Sequence, residues 1–205
     1  MNLPTRLLGS VALAVLVGGC SLSSVLGGGG KPPATLLTLT PELAAPGEFE
    51  RVANAGQAVT INTPVTSKEL HTLRVPVQVT PTDVQYVTNA QWIDTPDRLF
   101  RDLLSETVLR RTNRVVLDPR QAGLDPGLVV SGELQRFGYD PATGQAVVRF
   151  DAALSTVGGT RVETRRFEAQ APSDGSAASI GPALNRAANE VAIKVADWIG
   201  SRPAS

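Results

Sequence analysis

The chain has one cysteine, Cys20, and one histidine, His71, in 205 residues. A lone cysteine has no disulfide partner within the chain. One imidazole beside it does not make the cluster of ligands that a transition metal requires. His71 stands in a polar, threonine-rich stretch, and no Gly-x-Ser-x-Gly elbow accompanies it, so a Ser-His-Asp arrangement has little to build on. Calcium-loop spacing is missing as well. Asp83, Asp94, Asp97 and Asp102 are explained as solvated charges or helix-terminal groups. Charge of one sign is also lacking: 19 basic side chains balance 19 acidic ones, for a formal net charge of zero. Phosphate backbones are bound through basic excess, so nucleic acid is not expected as the main partner. Aromatic residues make up only 4% of the chain, so each is a large share of the available contact area. Beyond the N-terminus, no apolar run approaches the ~20 residues that a membrane-crossing helix needs. The expectation is a non-enzyme with no metal and no cofactor.

What remains is a globular balance, 42% hydrophobic and 19% charged, behind an unusual N-terminus. Arg6 is the only charged side chain before Cys20, and Leu7 to Val17 is almost entirely Leu, Val, Ala and Gly. That is a charged region followed by an apolar run too short to span a bilayer. Small residues then lead into the cysteine. The set Val17-Gly18-Gly19-Cys20 resembles the bacterial lipoprotein signal motif, the lipobox, which implies cleavage before Cys20 and a lipid on its sulfur. An ordinary secretory signal that happens to contain a cysteine is the alternative. Residues 1–19 are thus expected to be signal peptide, 20–34 a lipid tether and 35–201 a single domain. The tether contains Gly27 to Gly30 and Lys31-Pro32-Pro33. A coil of that kind reaches about 5–6 Å × √n, on the order of 20 Å for ten to fifteen residues.

Strand patterns then alternate with breakers. Ala34 to Thr40 and Ala58 to Thr63 are β-like, and Arg74 to Val79 alternates but holds Pro76, which fits an edge strand or an irregular piece. Asp83 to Val87 alternates cleanly. Thr95, Pro96 and Asp97 open a helix as cap, first residue and first-turn anion. Leu99, Phe100, Leu103, Leu104 and Val108 line one face of it up to Arg111–Asn113. Arg114 to Leu117 is a short strand. Leu128–Tyr139, Gln145–Thr156 and Thr160–Ala171, separated by turn residues, predict an antiparallel meander. A second helix follows from about Ile180 to Ile199, with Trp198 in its apolar stripe. The predicted class is α+β: a mostly antiparallel sheet with two amphipathic helices packed on one face. Tyr86 and Trp92 are the candidate interface or ligand contacts, with core packing beside the first helix as the plainer alternative.

The order of these features carries a resemblance. The lipobox, Asp83-Val84-Gln85-Tyr86, Trp92, Pro96 with Leu99, Leu103 and Leu109, Leu134-Gln135-Arg136-Phe137 and a terminal helix with Trp198 together resemble the ABC-type transport auxiliary lipoproteins, PqiC-like proteins among them. The resemblance runs from about Leu36 to Trp198. It implies a non-catalytic periplasmic component of a lipid-moving system, working beside an MCE-domain protein and an inner-membrane permease and ATPase. It also implies anchoring at the outer membrane through lipidated Cys20, which Ser21 in place of Asp supports, and possible assembly into a homo-oligomeric ring. A lipid-binding periplasmic carrier and a periplasmic hydrolase are the competing functions.

Overall fold

The turn after Tyr139 shows how local chemistry sets the sheet. Asp140 accepts the Ala142 N–H at 3.0 Å, and Gly144 takes a left-handed φ of +64° that other residues resist. The chain therefore reverses, and β6 (Leu128–Asp140) lies antiparallel to β7 (Gln145–Thr156), which in turn pairs with β8 (Val162–Pro172). This is the expected meander, seen in a computed structural model that describes residues 35–202 apart from 46, 48, 49, 55, 122, 124–126 and 157–160. The Gly158-Gly159 turn, the tether and Cys20 lie outside the described residues. All described residues fall in one unit, residues 33–205.

On its other side β6 receives three short strands in succession, all parallel to it. These are β1 (Val59–Ile61), β2 (Val65–Thr66) and β3 (Arg74–Gln78). Beyond β1 lies β5 (Val116–Leu117), and beyond β3 lies β4 (Val84–Gln91), antiparallel to it. The eight described strands make one mixed sheet in which the long pairings are antiparallel.

Two strand expectations are corrected. Of the two readings of Pro76, the edge strand fails, because β3 sits between β4 and β6, while the irregular piece holds, because the register shifts there. The ladder tolerates the missing N–H because β3 meets β6 only at Val77–Tyr139 and its register with β4 shifts beside Pro76. Gly138 helps: a Cβ there would stand 2.4 Å from the Pro76 carbonyl oxygen. Ala34 to Thr40 is not a sheet strand either. Its described part is extended and alternates Leu37, Leu39 and Pro41 inward, but it touches the sheet only through a bridge from Leu37 to Trp92. Its apolar side is spent on helices.

Those helices are α1 (Pro96–Arg111) and α2 (Ala177–Gly200). Pro96 and Asp97 open α1 as expected, but Thr95 makes no side-chain capping bond. Ser176 does cap α2, accepting the Ser179 N–H at 3.3 Å. Both helices cover the same sheet face, in the α+β arrangement the pattern predicts. Ile180, Leu184, Val191, Val195 and Ile199 of α2 are fully buried, each worth roughly 1.5–3 kcal/mol. Phe100 of α1 meets Phe150 of β7 edge-on at 5.2 Å, and Phe167 of β8 meets Trp198 of α2 at 5.5 Å. The helix C-termini meet at Arg111–Asp197, 2.7 Å apart. Cations hold the chain just beyond both ends: Arg51 donates to Thr112 O and Arg114 O, and Arg114 donates to Arg202 O.

Candidate functional site

Where the tether sequence meets the domain, the chain is clamped. Leu37 donates its N–H to Gln91 O at 2.7 Å, and Ile93 donates back to Leu37 O at 2.9 Å. Asparagines one helical turn apart on α2 take over from there. Asn185 Oδ1 accepts the Thr40 N–H at 2.8 Å. Asn189 Oδ1 accepts the Glu42 N–H at 2.8 Å, while its Nδ2 donates to Thr40 O and Asn185 O, both at 2.9 Å. Their carboxamides thus replace the ladder bonds that a neighbouring strand would supply. Arg110 of α1 holds Leu43 O. Leu37 packs where Gly181 leaves room, since a Cβ at that position would lie 2.7 Å from Leu37 Cδ2. Residues 37–43 form a strap fixed to both helices and to the end of β4.

The sequence did not single out Asn185 and Asn189, although a signal was present. Asn189 is a carboxamide inside the apolar stripe of α2, flanked by Ala188 and Val191, and it is only 1% exposed. A buried amide with three fixed partners has a job; here the job is to hold the strap.

Of the two aromatics singled out, Trp92 lies inside the core, fully buried and 5.3 Å from the ring of Phe137. Tyr86 lies half-buried on β4, with the Arg74 guanidinium 4.0 Å over its ring. The structure does not bring them together with any titratable cluster. His71 is exposed, at the end of a 3-10 turn over Lys68–Leu70. Asp83 accepts a hydrogen bond from the Thr80 hydroxyl within the β3–β4 turn. Asp94 takes the Thr95 N–H, and Asp102 is paired with Arg101.

The sheet face turned away from the helices carries cross-strand ion pairs. Arg149 of β7 binds Glu168 of β8, and Arg166 of β8 makes a two-pronged contact with Asp151 of β7 at 2.6 Å. The hydrogen bond from Arg166 is the main reason that Asp151 is held below the usual carboxylate range, and Arg149 does the same for Glu168. Carboxylates held in that state neither donate a proton nor act as strong bases. Among the described residues no group of three or more His, Cys, Asp or Glu is placed to hold a metal ion, and no helix is long and apolar enough to cross a membrane. The arrangement is built to hold and to pair, with fixed polar contacts at the strap and paired charges across β7 and β8.

Residues 38–196 match a family model described as ABC-type transport auxiliary lipoprotein component. No curated protein matches the chain. A crystal structure of a Xanthomonas campestris protein shares the fold at a TM-score of 0.66 and 20% identity, covering 82% of this chain and 95% of that one. A second crystal structure, of an uncharacterized protein, does so at a TM-score of 0.59 and 13% identity, covering 73% and 96%.

Proposed function

Because the chain belongs to the family of ABC-type transport auxiliary lipoprotein components, we propose that it is the outer-membrane-anchored, non-catalytic partner of an MCE-domain protein in a transporter that moves lipids across the envelope. Membership of a lipoprotein family supports a membrane-anchored, periplasmic location. The choice of the outer membrane, the MCE partner and the lipid cargo are the finer parts of the proposal. A homo-oligomeric ring belongs to the same reading, and sedimentation velocity measures it.

The observation that carries the proposal is the strap. A lipid on Cys20 pulls on residue 37 through the tether, and residues 37–43 transmit that pull to α1, α2 and β4 by named hydrogen bonds. The domain is thereby attached to its anchor at a defined place. Multiple acyl chains hold a protein to a leaflet far longer than one does. Tethering then raises the effective concentration of the domain against partners at the same membrane, so modest protein contacts suffice.

A lipid carrier would need an apolar cavity between sheet and helices. That space is filled by Trp92, Phe100, Leu104, Phe137 and Phe150, all 0–1% exposed, which favours a partner-holding role. The test is co-purification of the full-length lipoprotein with an MCE-domain protein after crosslinking in intact envelopes. Recovery of the pair from wild type, and its loss in Cys20→Ala, is expected. Failure to recover any MCE-domain protein would overturn the proposal.

A further inference from the structure

We infer that β8 is a docking edge, to which an extended protein segment bearing an acidic residue adds as a further strand. The inference rests on the partner-holding reading above and names the surface that does the holding. Among the described residues β8 closes one end of the sheet and pairs with β7 alone. It is 11 residues long. The strands at the other end offer much less: β5 has two residues, and β4 is broken by Asn89 in the left-handed region at φ 60°.

The direction of its free groups follows from one side chain. Lys194 of α2 donates to the Glu168 carbonyl at 2.9 Å, so that carbonyl points away from β7. In an antiparallel pair the outward groups recur every second residue. The backbone N–H and C=O of Thr164, Arg166 and Gln170 therefore face outward too, and they have no hydrogen-bond partner among the described residues. A free edge of this length is a template for strand addition, and proteins normally shorten, bulge or cover it. Here Lys194 covers a single carbonyl.

The groove beside the edge states what the added strand carries. It has a volume of about 600 Å³ and a floor of Phe167 and Trp198. Arg165 stands on its rim with its guanidinium 5.2 Å over the Phe167 ring and no acidic partner among the described residues. The acids nearby are already neutralised, Asp197 by Arg111 and Glu168 by Arg149. The open charge is positive, so the matching segment is acidic, with an apolar residue for the aromatic floor.

The test uses the mature full chain in detergent with the purified MCE-domain protein as probe, read by amide hydrogen exchange and by affinity. Protection of the Thr164, Arg166 and Gln170 amides on complex formation is expected. T164P removes an outward N–H without touching the β7 ladder and should weaken binding at least tenfold, as should R165E, while R98E on α1 leaves affinity unchanged. Should T164P fail to fold, exchange in the wild-type complex still decides. Binding with these three amides unprotected, or with R165E at wild-type affinity, overturns the docking edge and leaves the proposed function standing. No binding by wild type overturns both. Protection that rises with the concentration of the chain alone, without the probe, assigns the edge to a second copy and overturns the acidic-segment proposal.

Discussion

At the scale of single residues, this protein spends its polar chemistry on fastening. Asn189 shows the cost of removing it. Asn189→Ala leaves the Glu42 N–H and the Thr40 carbonyl without partners, and an unsatisfied buried polar group costs about 1–3 kcal/mol. Because Thr40 and Glu42 are near solvent, water takes up part of the loss. Local opening should then outrun global unfolding: exchange at the Leu37, Thr40 and Glu42 amides should accelerate tenfold or more, with β6–β8 amides unchanged. Equal acceleration everywhere would show that Asn189 supports the core rather than the strap. Asp151 gives a second prediction with a definite sign. Its folded-state pKa is depressed, chiefly by the Arg166 hydrogen bond. The unfolded state therefore binds the proton first as pH falls, and the stabilisation present above the ordinary carboxylate range is lost on descending through it. Arg166→Gln should be less stable than wild type at about pH 7, and the gap should close near pH 2–3. Urea titrations across pH check it, and a gap constant with pH would refute the assignment.

At the scale of elements, the meander, α1 and α2 were legible because their patterns are long and bounded by strong breakers: Asp140 to Gly144, Pro96, and Gly200. What was hidden is a matter of partner choice. Leu37-Thr38-Leu39 alternates as a strand does, but alternation reports only that one side is buried, not whether sheet or helix buries it. Pro76 carries the rule against central strands, and the rule fails where the ladder is interrupted anyway. Gln135 is the sharpest case. The register of β6 on β7 shifts between Leu134 and Arg136, a bulge that lets Leu134 and Phe137 both face inward although they are three residues apart. The apolar spacing 134, 137, 139 was the visible trace of it. Deleting Gln135 restores strict alternation with Leu134 and Phe137 still facing the core, whereas deleting Gln135 and Arg136 together turns Phe137 and Tyr139 to the other face. Phe137 is 1% exposed against Trp92, and losing such a residue from a core costs about 3–5 kcal/mol. The double deletion should abolish cooperative unfolding or lower its urea midpoint severely, while the single deletion costs far less; equal midpoints would mean the bulge is not what sets the register.

At the scale of the whole molecule, the question is how a domain tied at one point reaches a partner. The strap fixes the tie beside β4 and the start of α2, whereas β8 is the far edge of the same sheet. The sequence foresaw a tether and a body but not this separation, because which edge the strap closes depends on side chains 145 and 147 residues away, Asn185 and Asn189. If the anchor sits on one side and the docking edge on the other, the spacer between Cys20 and Leu37 need only supply reach, not contacts. Reach for a coil grows as the square root of length, about 5–6 Å × √n, so modest changes should be absorbed. Deleting Gly27 to Gly30 shortens the reach by roughly a tenth to a sixth on that scaling and should leave partner recovery within about twofold. Removing residues 22–35 leaves almost no span, and recovery should collapse while the melting temperature of the domain stays put. Crosslinking yield in envelopes measures the first quantity and calorimetry the second. If the four-glycine deletion alone abolished recovery, the spacer would have to be a contact surface in its own right, and the division of labour between strap and edge would fail.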